Sequence, residues 1–190
     1  SEPTNDLAGT WSSPNSPMRW KNPTISVGID WESLPQIPPL TTLPPKYLPD
    51  QLLRHIDQLT STEMGGRGLG SEGIEKAALY IADQFRAAGL QPADGSYIHR
   101  WLISISGLPD LELANVVGII PGVNPEVSDK PMVIGAHYDH LGINENGELY
   151  SGADDNASGI SVLIEVAKKV ARAFTPQRPI IFVAFSGEEN

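Results

Sequence analysis

The sequence predicts an α/β fold in which helices flank a mixed, largely parallel central sheet. Some segments repeat apolar residues at the three- and four-residue spacing of helices, and others have the continuous or alternating apolar pattern of strands. From residue 72 onward the predicted order is helix, strand, strand, strand, helix, strand. That order is typical of a sheet covered by helices.

Two helices are predicted before the first strand. Pro49 suits the first turn of a helix, and apolar residues at helical spacing follow it as far as Leu59. The glycine-rich stretch 65–70 ends this helix. A second helix is predicted to begin after Ser71, which suits an N-cap, and to end at Gly89, which suits a C-cap.

Four strands and one more helix are predicted in the rest of the chain. The third helix follows Asn156 and runs to Phe174. The segments 132–136 and 179–185 are continuously apolar, as strands buried in the middle of a sheet are. The predicted strands are 97–105, 113–120, 132–136 and 179–185.

Composition and charge exclude several classes of chemistry. The chain of 190 residues has no cysteine, so it has no disulfide, thiolate metal site or cysteine nucleophile, and a metal must be held by His, Asp or Glu. A net charge of -10 argues against nucleic acid as the main partner. No run of eighteen apolar residues is present, so no membrane span is predicted.

The first part of the chain differs from the rest. Ten of the 17 prolines lie within the first 49 residues, where no sustained helical or strand periodicity is found. Residues 1–47 are therefore predicted to be an extension or linker, and residues 48–190 to be one domain. The initial residues lack the basic start and apolar stretch of a signal peptide.

Three clusters of polar residues are predicted to lie at strand ends or at a helix start. His137, Asp139 and His140 follow the strand at 132–136, and they supply imidazole and carboxylate together. In such a cluster Asp139 can orient a metal-binding His137 through its other ring nitrogen. Alternatively, a His at a strand end is an ordinary hydrogen-bonded residue, which is our interpretation of His140.

The other two clusters contain paired acids. Asp154 and Asp155 precede the third helix, where they suit either a helix start or a carboxylate bridge between two cations. Glu188 and Glu189 follow the last strand. There, one can bind a metal while the other accepts a proton from water, although a solvated acidic loop is the alternative.

These clusters resemble a known family. The string VIGAHYDHLG at 133–142, GADDNASG from Gly152 and FSGEE from Phe185 are similar to the zinc exopeptidase family that contains aminopeptidase Y and bacterial leucyl aminopeptidases. The similarity covers roughly residues 48–190. It implies the zinc-exopeptidase, phosphorylase/hydrolase-like fold and a site with two zinc ions.

The resemblance also implies a role for each residue. His137 would bind one zinc, Asp154 would bridge both, and Glu189 would bind the other. Asp139 would orient His137, and Glu188 would be the general base toward a water that bridges the metals. The peptide bond between Asp154 and Asp155 would be cis.

Two metal ligands of the family have no counterpart in residues 1–190. The family completes its two sites with an Asp and a His downstream of the paired glutamates, so residues 48–190 would be the N-terminal part of the catalytic domain. We expect this polypeptide alone to be inactive, to bind zinc weakly and to expose a sheet edge. His55 and His99 lie well before the site and are interpreted as structural.

The resulting hypothesis is an aminopeptidase that acts on peptides or proteins with a free amino terminus. The alternatives are a carboxypeptidase or dipeptidase of the same fold, a non-catalytic binding relative, and a single-zinc glutaminyl cyclase on the related fold. The resemblance favours a secreted, periplasmic or cell-envelope location. The sequence does not indicate an oligomeric state.

Overall fold

A computed structural model of the chain describes residues 48–104, 110–173 and 175–189. The predicted extension at 1–47 lies outside these residues, as do Ile105 and Phe174 at the ends of a predicted strand and a predicted helix.

The first two helices form as predicted. Helix α1 is Pro49–Leu59, with proline in its first turn. Helix α2 is Glu72–Ala88, and the hydroxyl of Ser71 accepts a hydrogen bond from the N–H of Ile74 at its start. Gly89 ends α2 in the left-handed conformation at φ 84°. Between the two helices, the glycine-rich stretch forms a short 3₁₀ helix, Thr62–Arg67.

The sheet has five strands in the described residues. The predicted strands are observed as β2, β3, β4 and β5, and a two-residue strand, β1, was not predicted. Helix α3, Ser158–Ala173, lies between β4 and β5 in sequence. The strand bounds are Gln91–Pro92 for β1, Ile98–Ile103 for β2, Leu111–Ile120 for β3, Met132–His137 for β4 and Ile180–Phe185 for β5.

The mixed sheet is confirmed, but its described part is less parallel than predicted. The strand order is β1-β3-β5-β4, with β2 also paired to β3. Only β4 and β5 are parallel among the described pairs; the pairings of β3 with β1, β2 and β5 are antiparallel. A parallel neighbour requires a long crossover connection. Among the described elements, α3 provides one between β4 and β5, whereas β2 and β3 follow each other directly.

Strand β4 lies at the edge of the described sheet. Its apolar sequence is of the kind predicted for the middle of a sheet, and β4 is the last strand in the described order. Met132 and Val133 are 51% and 56% exposed. No described strand pairs with its outer edge, so the predicted exposed sheet edge is found here.

The core forms where the helices pack on the sheet. Helix α2 contacts β3, α3 contacts β4 and β5, and α1 contacts α3. Phe85 of α2 and Phe182 of β5 are both fully buried, with ring centroids 6.4 Å apart. Burial of such rings is a main source of folding free energy. None of the described helices is both long and apolar enough to cross a membrane.

Candidate metal centre

The carboxyl ends of β4 and β5 lie side by side. The strands are parallel, and His137 at the end of β4 is the Cα partner of Phe185 at the end of β5. The N–H of Tyr138 donates to the carbonyl of Phe185 at 2.9 Å. The segments 138–140 and 186–189 therefore start next to each other, as the rule for ligand sites at strand ends predicted.

The His137 imidazole is mostly buried, with acidic groups at both nitrogens. Its side chain is 15% exposed, and Nδ1 lies 3.7 Å from Asp139 Oδ1. Nε2 lies 3.1 Å from Asp155 Oδ1 and 4.0 Å from Glu188 Oε2. One carboxylate thus lies behind the ring and two lie in front of it.

Asp139 is fully buried and only partly hydrogen-bonded. Its Oδ2 accepts the N–H of Glu189 at 3.2 Å. Its Oδ1 and Nδ1 of His137 are buried without a hydrogen-bond partner among the described residues. Leaving such atoms unpaired is costly, and a small approach would form the Nδ1–H···Oδ1 bond that commonly orients a metal-binding imidazole. Nε2 would then keep its lone pair for a cation, so these donors fit a metal such as zinc.

A second group of donors lies beside the first. One ligand atom from each of His140, Asp155 and Glu189 lies within 4.8 Å of the others. His140 Nδ1 is 2.8 Å from Glu189 Oε1, and the two side chains are 12% and 19% exposed. One imidazole and two carboxylates form a donor set that zinc accepts.

Asp155 belongs to both groups, whereas the residue predicted to bridge two metals was Asp154. The Asp155 carboxylate lies near His137 and in the group with His140 and Glu189. Both acids are exposed, but Asp154 is not part of that group. Its carbonyl accepts the hydroxyl of Ser158 at 2.8 Å, as part of the helix start. The geometry therefore places Asp155 between the two sets of donors.

The cis peptide bond also lies one residue later in the sequence than expected. It was expected between Asp154 and Asp155, and it is found between Asp155 and Asn156.

Of the predicted site residues, all but Asp154 lie at or beside the strand-end centre, and Asp155 and His140 lie there as well. His137, Asp139 and Glu189 lie in contact at the centre, and Glu188 stands at its exposed side. Asp155 and His140 had sequence signals that did not decide their role. Asp155 is one of two adjacent acids and His140 is one of two nearby histidines, and the sequence does not say which of each pair meets the other donors.

The two histidines interpreted as structural are found away from this centre. His55 is 6% exposed, and its Nδ1 lies 2.5 Å from the Tyr80 hydroxyl. His99 is half-buried, and its Nε2 lies 3.0 Å from the carbonyl of Ser96. Both therefore have contacts that do not involve the strand-end donors.

A fully buried arginine ties together the backbone segments that carry the site. Arg67 Nε donates to the carbonyl of Tyr138 at 2.8 Å. Nη1 donates to Leu59 at 2.6 Å and to Ser151 at 2.8 Å, and Nη2 donates to Gly152 at 2.8 Å. These four bonds hold the segment after β4 against the segment before Asp155. The fork geometry of a guanidinium suits several acceptors at once.

The guanidinium of Arg67 also places a positive charge near the acids of the centre. Burial lowers the pKa of Arg67, and the carboxylates of Asp139 and Asp155 oppose that shift. Arg67 therefore serves as a buried countercharge to two acids of the site.

Two glycines allow this close approach. Gly66 has φ 66°, and a Cβ there would overlap the carbonyl of Tyr150. Gly152 has φ 58°, and a Cβ there would lie 2.5 Å from Arg67 Nη2 and 2.5 Å from His140 Cδ2. Both positions thus need glycine for conformation and for space.

The segment that carries these clusters matches a known protein family. Residues 115–190 match the model described as Peptidase family M28. The matched residues include every donor of the centre. This supports the M28 zinc peptidase family; the match does not distinguish the aminopeptidase Y type within it.

Related sequences include one bacterial protein and one vertebrate protein. The chain is 30% identical over 158 residues to Uncharacterized protein YfbL of Escherichia coli, covering 82% of this chain and 44% of that protein. It is 33% identical over 152 residues to BOS complex subunit NCLN of Gallus gallus, covering 76% of this chain and 24% of that protein. The chain thus spans less than half the length of either relative.

Solved structures support the fold. A glutaminyl cyclase from Tannerella forsythia has a TM-score of 0.57 at 24% identity, covering 74% of this chain and 47% of that chain. A Zn-dependent exopeptidase from Parabacteroides distasonis has a TM-score of 0.54 at 20% identity, with the same two coverages. The zinc-exopeptidase-like fold predicted from the sequence is therefore confirmed.

Proposed function

We propose that this chain contributes part of the active site of a zinc-dependent exopeptidase, most simply an aminopeptidase acting on peptides with a free amino terminus. The observation that carries the proposal is the position of Asp155. Its carboxylate lies 3.1 Å from His137 Nε2 and shares a donor group with His140 and Glu189. The M28 match supports metal-dependent hydrolysis of peptide bonds.

The chain offers donors for two cations that share Asp155. His137 and Asp155 would hold one, and Asp155 with Glu189 and His140 would hold the other. When bound, zinc in such a site polarises the scissile carbonyl, favours ionisation of water and can hold a free amino terminus. The resemblance adds a downstream Asp and His to the ligands. We therefore expect residues 1–190 alone to bind zinc weakly and to lack activity.

The remaining residues have roles that follow from their positions. Asp139 orients His137 at Nδ1, and through the N–H of Glu189 it also holds the segment after β5. Glu188 is the candidate general base. Its side chain is 61% exposed and its Oε2 lies 4.0 Å from His137 Nε2. From there Oε2 can accept a proton from the attacking water and later deliver it to the leaving amine.

Replacing Glu188 with Gln tests the base role. Gln keeps the shape of the side chain but cannot accept the proton, so we expect kcat for amino-acid anilides to fall by about 100-fold or more. Zinc content should stay unchanged, because Glu188 is not a proposed ligand. Both quantities are measured on the natural full-length polypeptide, by anilide release and by elemental analysis.

The matched control is Glu126→Gln, which changes an exposed carboxylate in the connection before β4. It should leave both kcat and zinc content unchanged. A Glu188 variant with normal kcat would refute the base role, and loss of zinc from this variant would show that Glu188 is a ligand instead.

Substrate choice separates the peptidase proposal from its alternatives. Hydrolysis of free-amino-terminal substrates, but not of N-acylated ones, supports an aminopeptidase. Cleavage of N-acylated substrates at the carboxyl end indicates a carboxypeptidase. Because the fold is similar to that of glutaminyl cyclases, peptides with an N-terminal Gln are tested as a third substrate. Release of ammonia from these peptides, without loss of a residue, indicates a cyclase.

A non-catalytic role is the second candidate, favoured by the similarity to a subunit named for the BOS complex. The discriminating measurement is zinc binding by the full-length protein. Absence of bound zinc, together with absence of hydrolysis and of cyclisation, would favour an assembly subunit over an enzyme.

A further inference from the structure

A cavity lies among the three helices, away from the strand-end centre. It has a volume of about 630 Å³ and is lined by residues of α1, α2 and the second half of α3. Binding sites for small molecules commonly enclose about 300–1,000 Å³. Helix α3 rises about 1.5 Å per residue, so Arg172 in its last turn lies roughly 20 Å along the helix from the centre at its start. The two sites are therefore separate.

The charge of this cavity is opposite to that of the chain. Arg54, Lys168, Lys169 and Arg172 line it with a single acid, Glu165. The whole chain has a net charge of -10. The basic group is thus a concentration of positive charge in an acidic protein, and such a concave surface attracts anions.

Stabilisation of the helices explains only some of the basic residues that line the cavity. A basic residue in the last turn, such as Arg172, is stabilised by the helix dipole. Arg54 belongs to α1 and lines the same cavity. Neither arginine makes a salt bridge or a side-chain hydrogen bond within the described residues. Two guanidiniums from different helices therefore line one cavity with their charge uncompensated.

The single acid of the cavity is already paired. Glu165 Oε1 lies 3.0 Å from Lys168 Nζ and 3.0 Å from His55 Nε2. His55 Nδ1 in turn lies 2.5 Å from the Tyr80 hydroxyl. Burial lowers the pKa of His55. The carboxylate is thus held in a network with Lys168, and the arginines carry the unpaired charge.

We propose that this cavity binds a small multivalent oxyanion, one whose phosphate or clustered carboxylate groups engage Arg54 and Arg172 together. Guanidinium groups suit such ligands because their N–H donors match two oxygens at once. The site is independent of the metal centre and of the peptidase proposal.

Calorimetric titration tests the proposal, with inorganic pyrophosphate and citrate as separate probes at constant ionic strength. We expect saturable binding of at least one probe. The double variant Arg54→Gln/Arg172→Gln should weaken it by about tenfold or more, since each lost charge-assisted pair contributes to affinity. Both side chains are exposed, and circular dichroism verifies the fold of the variant.

Two controls make the result decisive. The variant Lys130→Gln/Arg178→Gln removes two exposed positive charges outside the cavity and should leave affinity within about twofold, because distant surface charges are screened. Both probes chelate zinc, so the titration is repeated with Asp155→Asn, where binding should persist. Absent binding, equal weakening in both double variants, or loss of binding with Asp155→Asn would each overturn the proposal. Preference for pyrophosphate or for citrate identifies the chemical group.

Discussion

Replacing Asp155 with Asn is expected to weaken zinc binding by about 100-fold or more, because even residues that only support a ligand typically contribute 10–100-fold. The reason is the position of this carboxylate near His137 and in the group with His140 and Glu189. A neutral amide would leave both sets of donors without their shared negative charge. A competition titration with a chromophoric zinc chelator measures the effect.

Asp154→Asn is the matched control, since it makes the same chemical change one residue earlier. Asp154 is exposed and outside the donor group, so zinc affinity should change by less than about threefold, because an exposed charge that does not contact the cation contributes little. If Asp154→Asn had the larger effect, the assignment from sequence would be right and the assignment from geometry wrong.

Arg67→Met is expected to lower the free energy of unfolding by about 3–5 kcal/mol, the usual cost of removing one partner of a buried ionic group. Its side chain donates four hydrogen bonds to backbone carbonyls, and each buried carbonyl left unpaired costs about 1–3 kcal/mol. The acids Asp139 and Asp155 would also lose their countercharge. Urea denaturation followed by circular dichroism measures the loss.

Two further variants separate charge from geometry at this position. Arg67→Lys keeps the charge but not the fork, and we expect it to recover less than half of the loss. Arg178→Met removes an exposed arginine, and stability should change by less than about 0.5 kcal/mol. A lysine variant as stable as the wild type would show that charge alone is needed. In that case the backbone bonds of Arg67 would not be the source of its effect.

Much of the fold was predictable because its signals are local. Ser71 and Gly89 mark the ends of α2 through contacts within a single turn, and the structure shows both caps. The strands ending at His137 and Phe185 were identified from their apolar runs. Because these two strands are parallel neighbours, the polar residues after them come together, as expected.

Features that depend on distant parts of the chain were not predictable in this way. The position of β4 at the edge of the described sheet depends on strand order, which is set by pairing between segments far apart in sequence. The proportion of parallel strand pairs also depends on which distant segments pair with each other. The contact between His140 and Glu189 also joins residues that are 49 positions apart.

The sequence by itself determined the helices and strands, the residue types available to hold a metal, and the strand ends at which they gather. These follow from spacing, capping and composition, all of which act over a few residues. The tertiary structure decided which of the two adjacent acids faces His137, the inclusion of His140 and the clamping role of Arg67. These three features depend on the direction of side chains at a bend or on contacts between distant parts of the chain. Neither of these two causes can be read from one short segment of sequence.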